Sequence, residues 1–266
     1  MFEPAPQDLV LTILGAHVGP HEGAAVWSGG LVALLGEFGF TEGAARVALT
    51  RLVRRDLLER VKDGRMVFYT VTPRAAAVLA EGDRRIFSLG RDGSPGPWTI
   101  LWHAIPESQR VARARLVSRL RFLGFGSVQD GTWLAPRDRT AEVAALLDQL
   151  DVSAHAGVMV GEPAQVPDFA AFVPRVWDLD ALAARYESFV AEFGDAKAED
   201  PRSAFELRVR LMHTYRQFAL LDPELPADLV APPPCRAAAV TLFHHAYPAL
   251  APQAQRHFNG LTSSPA

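Results

Sequence analysis

TEGAARVALTRLVRR, residues 41–55, sets Ala45, Ala48, Leu49, Leu52 and Val53 at the i, i+3, i+4, i+7, i+8 spacing of a helix that buries one face. The opposite face is basic: Arg46, Thr50 and Arg54 stand at i, i+4, i+8, with Arg51 and Arg55 on the flanks. Thr41 is placed to cap the first free backbone N–H groups. A helix packed on one side and carrying guanidinium groups on the other suits the major groove, where arginine pairs with guanine O6/N7 or takes a phosphate. A merely solvated basic face on a core helix has the same pattern, so the neighbouring residues must separate the two readings.

Leu57-Leu58-Glu59-Arg60-Val61 and Met66-Val67-Phe68-Tyr69-Thr70-Val71 are strand-like runs joined through Lys62-Asp63-Gly64-Arg65. An Asp-Gly pair readily supplies the positive φ that a hairpin turn needs. Basic helix followed by hairpin is the order of a winged helix-turn-helix. From Arg46 to Arg74 there are eight Lys/Arg against three Asp/Glu, although the whole chain has a formal net charge of −3. A local basic footprint on a mildly acidic chain points to one nucleic-acid face. The candidate DNA contacts are therefore Arg46, Thr50, Arg51 and Arg54 on the helix, with Gly64 and Arg65 in the wing.

The 266 residues, 49% hydrophobic and 21% charged, suit two or three globular domains. No apolar run approaches the roughly 18 residues of a membrane span, and MFEPAPQD at the start lacks the basic region of a signal peptide, so a cytoplasmic protein with no membrane partner is expected. The single cysteine, Cys235, excludes an intrachain disulfide and a multi-cysteine zinc site.

In chain order, Gln7–Val18 and Val26–Phe38 predict two helices, with Trp27, Leu31, Leu34 and Leu35 forming the core beneath the basic helix. His17 and His21 have metal-ligand spacing only if helical, and Gly19-Pro20 breaks the helix between them, so no metal is expected. Thr72-Pro73 starts a fourth helix running to about Leu89. Gly90–Pro97, GRDGSPGP, is a linker. Trp98–Ile105 predicts a strand, Glu107–Leu123 a helix, Phe125–Val128 and Thr132–Ala135 short strands, Arg139–Leu150 a helix and Ala156–Val160 a last strand. That βαββαβ order is the ferredoxin-like unit. On its first helix Leu116, Leu120 and Leu123 face the sheet, while Arg110, Arg113 and Arg121 face out as solvated groups, phosphate contacts or a subunit contact. After the linker Glu162–Pro167 the chain reads as helical, with the stripe Leu179, Leu182, Tyr186, Phe189, Phe193 behind Asp178 as cap. A second helix is predicted from Pro201 to Leu221. The fold class is thus α+β, with a winged helix-turn-helix domain over 1–90, a ferredoxin-like domain over 97–162 and an all-helical domain over 168–266.

On the wheel of the 201–221 helix, Ala204, Leu207, Leu211, Met212, Tyr215, Phe218 and Ala219 form an apolar arc, with Glu206, Arg210, His213, Thr214 and Gln217 opposite. Arg208 sits in the middle of the apolar arc and Arg216 at its edge. A buried guanidinium cannot be neutralised, so Arg208 needs a carboxylate or the anion of a ligand. This makes Arg208, His213, Tyr215 and Arg216 candidate effector contacts, with a structural ion pair or subunit contact as the alternative.

With these residues in view, the chain resembles the PaaX family of bacterial transcriptional repressors, which control phenylacetate and related aromatic catabolism. The resemblance runs through Trp27-Ser28-Gly29-Gly30-Leu31, Arg46-Val47-Ala48-Leu49-Thr50-Arg51-Leu52, and Gly64-Arg65 followed by Phe68-Tyr69. In the C-terminal part it is HTYRQFALLDPELP, at His213, Tyr215, Arg216, Leu220, Asp222, Pro223, Leu225 and Pro226. The resemblance implies a winged helix, a Cas2-like ferredoxin-like domain and a helical domain in that order. It also implies a homodimeric repressor of an aromatic (phenylacetate-type) catabolic operon that leaves an inverted-repeat, double-stranded operator when an aryl-CoA thioester such as phenylacetyl-CoA binds. The family's Pro-, Trp- and Gly-containing turn is replaced here by Ala231-Pro232-Pro233-Pro234-Cys235-Arg236. A pocket shaped by that turn would select another acyl-CoA.

Enzymatic readings find little support in the residues. A Cas2-like metal nuclease needs an acid near the end of the first strand, and none appears before Glu107. A protein that binds or hydrolyses acyl-CoA thioesters, with an accessory winged helix, is the alternative invited by His213, His244, His245 and His257, yet no GxSxG elbow accompanies them. No catalytic residue, metal or cofactor is assigned.

Overall fold

The basic segment forms helix α3, Glu42–Arg54, in a computed structural model that describes residues 4–18, 24–91, 96–162 and 169–263. Thr41 caps it, its Oγ1 accepting from Ala44 N at 3.3 Å. At the other end Asp56 adopts φ +56, so that Asp56 N donates to Val53 O and Leu57 N to Leu52 O. This is a Schellman stop, and its usual apolar pair, Leu52 with Leu57, joins the core. Ala45, Ala48, Leu49 and Leu52 are buried, as their spacing predicts.

Around α3 stand α1 (Pro6–His17), β1 (Val26–Trp27), α2 (Ser28–Glu37), the hairpin β2 (Leu58–Asp63) and β3 (Met66–Val71), and α4 (Pro73–Ser88), whose first turn is capped by Thr72. The three strands form an antiparallel sheet in the order β1-β3-β2. Val26 and Trp27 therefore differ from expectation: they do not open the second helix but pair with Tyr69 and Phe68. Both are good strand formers, and a free strand edge is present to receive them. The segment with His21, and with it the His17/His21 pair, lies outside the described residues, as do most of the two linkers.

The ferredoxin-like part consists of β4 (Trp98–His103), α5 (Arg110–Phe122, entered through a 3-10 turn at Glu107–Gln109), β5 (Gly126–Gln129), β6 (Thr132–Ala135), α6 (Thr140–Gln149) and β7 (Ala156–Gly161). Its sheet is antiparallel in the order β5-β6-β4-β7. Leu101, Leu116, Leu120, Trp133, Val143 and Leu147 fill the core between one sheet face and the helices. On the opposite face Trp98 and Leu134 are covered by Val173 and Trp177 at α7 (Phe169–Val176).

The remaining helices are α8 (Leu179–Phe193), α9 (Pro201–Tyr215), α10 (Phe218–Leu221) and α11 (Arg236–Thr262). The single helix expected from Pro201 to Leu221 is interrupted after Tyr215. Tyr215 stacks on Phe243 with ring centroids 3.8 Å apart, and Phe218 stacks on Tyr186 at 4.0 Å, so two aromatic anchors three residues apart hold the chain in different surroundings.

These helices divide between two compact units. The first contains the chain to Ser88, Phe189–Arg216 and the part from Ala239 onward; the second contains Leu89–Ser188 and Gln217–Ala238. In the first, Phe205 and Val209 of α9 and Ala254 and Phe258 of α11 share one core with α1, α2 and α3. No helix of the described residues is long and apolar enough to cross a membrane.

Candidate nucleic-acid interface

Because α3 buries Ala45, Ala48, Leu49 and Leu52, its other face is left to solvent. There Arg46, Val47, Thr50, Arg51 and Arg54 are all exposed. Arg46 is held by Glu42 one turn earlier, with Nε and Nη2 donating to Glu42 Oε1 at 2.9 and 2.6 Å. The contact is exposed and contributes little to stability. Its effect is orientational: with Nε and Nη2 on Glu42, Nη1 has no partner among the hydrogen bonds of the described residues. Thr50 Oγ1 donates to Arg46 O at 2.9 Å, so its hydroxyl proton is committed to the helix and it offers outward a methyl and an acceptor. Val47, half exposed at 50%, is the apolar member of this face. The sequence reading did not single out Val47 or Glu42, although both stand on the outward side of the same wheel.

The wing projects beside this helix in the same unit. Asp63 pairs with Met66, so Gly64 and Arg65 are the two loop residues and Gly64 takes φ +57. A hairpin loop of two residues requires a positive φ there, which glycine adopts without a steric penalty. The turn thus lies one residue later than the Asp-Gly reading put it. Arg65 is exposed at the tip, and Arg60 and Lys62 are exposed along β2, the edge strand of the sheet.

Beneath this face the scaffold is fastened by the C-terminal helices. Glu37 at the end of α2 receives His257 Nε2 at 2.9 Å and lies 3.5 Å from Arg202 Nε. A Cβ on Gly30 of α2 would collide with the carbonyl oxygen of Leu261 in α11. Arg208 is buried, and among the described residues it pairs with no carboxylate: Nη1 donates to Ala16 O at 2.8 Å and Nε to Tyr247 O at 3.3 Å, and the guanidinium lies 4.0 Å from the centroid of the Tyr247 ring. The carbonyl end of α1 supplies the negative partial charge that the sequence reading sought in a carboxylate. Burial lowers the Arg208 pKa and pushes the Tyr247 hydroxyl up to about 12.

His213 likewise departs from the outward position read from its wheel. It is buried, 3.1 Å from Thr12 Oγ1, and desolvation together with the nearby Arg216 charge lowers its pKa to about 4. His17, stacked on Phe258 at 4.9 Å and bonded to Gln255, is lowered to about 4, chiefly by burial. Tyr215 is fully buried, and Arg216 is partly buried within the field of Asp8.

In the second unit the Leu-Asp-Pro-Glu-Leu-Pro stretch is the centre of a buried polar network. Asp222 Oδ2 accepts from Tyr186 OH at 2.7 Å and from Arg236 Nε at 2.6 Å, while Oδ1 accepts from Glu224 N at 2.7 Å. Glu224 accepts from Arg137 at 2.6 Å, from Arg236 at 3.1 Å and from Gly90 N at 2.9 Å. With both carboxylates paired and hydrogen-bonded, this motif joins the ferredoxin-like part to α8 and the start of α11. No group of three or more potential metal ligands occurs among the described residues.

Comparison with known proteins accounts for nearly the whole chain. Residues 5–75 match the family model described as PaaX-like protein, residues 92–173 the PaaX protein central Cas2-like domain, and residues 177–260 the PaaX-like protein C-terminal domain. The transcriptional repressor PaaX of Escherichia coli (strain K12) is 28% identical over 224 residues, which is 79% of this chain and 69% of that protein. Among solved structures, the uncharacterized protein Rv0674 from Mycobacterium tuberculosis superposes with a TM-score of 0.57 at 23% identity, covering 97% of this chain and 99% of that one. That likeness supports the fold.

Proposed function

The chain belongs to the PaaX family, a family of transcriptional repressors and not of enzymes, and from that premise we propose that it represses transcription by laying α3 in the major groove with the β2–β3 wing beside it. The carrying observation is the conjunction on one unit of an outward Arg46, Val47, Thr50, Arg51, Arg54 face and an exposed wing bearing Arg60, Lys62 and Arg65. Arginines on the helix read guanine edges or take phosphates, and the wing arginine takes a phosphate.

One such helix covers only a few base pairs, too few to specify a site in a bacterial genome, so two copies reading an inverted repeat complete the function in the cytoplasm. The surface we assign to the pairing is the open end of the ferredoxin-like sheet. Ile100 and Met159 are cross-strand partners there, Trp102 stands two residues further on the same face, and the last two are 60% and 44% exposed. Apolar patches of this kind usually mark an interface. The operon is of the aromatic, phenylacetate type, and an aryl-CoA thioester, phenylacetyl-CoA or another acyl-CoA, releases the operator by binding better to the form whose helices are wrongly spaced for it.

Selection of a binding site from random duplex DNA, followed by titrations with variants, tests the reading. Arg51→Ala and Arg54→Ala should each cost about 1–3 kcal/mol in affinity where they meet a base. Arg65→Ala should weaken all sequences alike and lower the salt slope by about one. A folded Arg51→Ala, Arg54→Ala double variant that binds the selected site like the wild type would remove α3 from this role.

A further inference from the structure

A cleft of about 450 Å³ opens in the second unit where the end of α5 and β5 face the start of α8 and α10. Buried Trp133 and Trp177 contribute to its apolar walls, Leu220 and Leu221 stand exposed at its lip, and Arg121 and Arg185 line it from α5 and α8. Its volume falls within the usual range for small-molecule sites, about 300–1,000 Å³.

The charges of the cleft are one-sided. Among the described residues Arg121 and Arg185 form no ion pair, while the lining carboxylate, Asp178, is engaged at the start of α8 by accepting from Ala181 N at 2.9 Å. Two exposed guanidinium groups over aromatic and aliphatic walls attract an anion that also has an apolar body to bury. Leu220 and Leu221 are 41% and 43% exposed, apolar surface that a ligand's apolar body would cover.

We infer that this cleft binds an amphipathic anion, an aromatic or medium-chain acyl group joined to a carboxylate or phosphate, with the apolar group against Trp133 and Leu221 and the anion between Arg121 and Arg185. The inference rests on the effector reading given above and deepens it by giving the ligand a place. It puts that place apart from Arg208, which lies in the other unit and donates from Nη1 to Ala16 O and from Nε to Tyr247 O. Leu182 and Arg185 line the cleft from the first half of α8, and the same helix ends in Phe189 and Phe193, which belong to the unit that carries α3. Helix α8 thus contributes residues to both units, and whether a ligand on its first half alters DNA affinity is what the titration reads.

The full-length protein is titrated with phenylacetate, octanoate, phenylacetyl-CoA, octanoyl-CoA and CoA alone, following heat by calorimetry and, separately, release of the selected DNA duplex. The free acids and the thioesters distinguish a carboxylate from a phosphate as the anion. Binding of at least one acid or thioester is expected, with a loss of about tenfold or more in Arg121→Gln and Arg185→Gln and a similar loss in Leu221→Ser. All three positions are exposed, and unchanged melting and DNA affinity in the absence of ligand show that the variants are folded. Saturable binding that leaves DNA bound would keep the cleft as a site and defeat the effector reading. Release of DNA at unchanged ligand concentrations in all three variants would overturn the cleft and keep an effector bound elsewhere. Binding of none of the five compounds would overturn the cleft, as would binding of CoA alone with the affinity of its thioesters, since nothing would then occupy the apolar wall.

Discussion

Val47 is an exposed aliphatic side chain on an otherwise polar and basic face. An arginine distinguishes guanine by two hydrogen bonds, but an adenine–thymine pair also presents a methyl group in the major groove, and an exposed aliphatic side chain is its natural contact. Val47 stands between Arg46 and Thr50 at half exposure, on the side of α3 that carries no core contact. Replacing thymines of the selected site by deoxyuridine, one at a time, should reveal one position in each half-site where wild-type affinity falls several-fold and the affinity of Val47→Ala does not. Uniform, additive losses in both proteins would exclude the methyl contact. The Arg46–Glu42 pair lies beside it, and because both side chains are exposed its energy is small enough for DNA to reorganise.

At the scale of elements, α2 is held closely against the C-terminal helix. The Trp27-Ser28-Gly29-Gly30 motif leads from β1 directly into α2, and at Gly30 the C-terminal turn of α11 comes close. A methyl group at Gly30 would overlap backbone atoms of Leu261 and Thr262, which cannot rotate aside as a side chain could. Gly30→Ala should therefore lower stability by about 1–3 kcal/mol, the usual range for overpacking. Gly36, in the same helix, has open space around its Cα, and Gly36→Ala should be neutral or stabilising by about 0.4–1 kcal/mol. Chemical denaturation of the two variants beside the wild type measures both. Equal effects would mean that α11 yields to α2. The patterning of α2 was legible from Leu31, Leu34 and Leu35, whereas the need for glycine at 30 was not, because the atoms that exclude a side chain are more than two hundred residues away in sequence.

For the whole molecule, the proposed function requires the pairing of two recognition helices. If the exposed end of the ferredoxin-like sheet makes the dimer, Trp102→Lys should leave the fold intact, because its ring lies on a solvent-facing patch, and should shift sedimentation from dimer to monomer. Affinity for a single half-site should be retained, and affinity for the full inverted repeat should fall at least tenfold, about 1.4 kcal/mol. A Trp102→Lys protein that sediments as a dimer would assign the pairing to another surface.

Local patterning determined much of this protein without help from its tertiary structure. The 3.6-residue spacing from Ala45 to Val53, the Thr41 cap, the two strand-like runs and Gly64 together specify helix then wing, because each is a property of a few adjacent residues. The same holds for βαββαβ, whose periods of two and 3.6 alternate visibly between residues 98 and 160. Only the tertiary structure decided the roles of the C-terminal helices. A wheel drawn for Pro201–Leu221 assumes one exposed side, but α9 is packed by α1 and contributes Phe205 and Val209 to a shared core, so His213 is buried opposite the expected arc. Composition likewise cannot reveal that a helix end will meet a buried arginine, since the carbonyl of Ala16 is an acceptor carried by every residue and marked by none. Asp222, Glu224, Arg137 and Arg236 are read as ordinary charges in sequence and become a single network only when the chain brings residues 90, 137, 186, 222, 224 and 236 together.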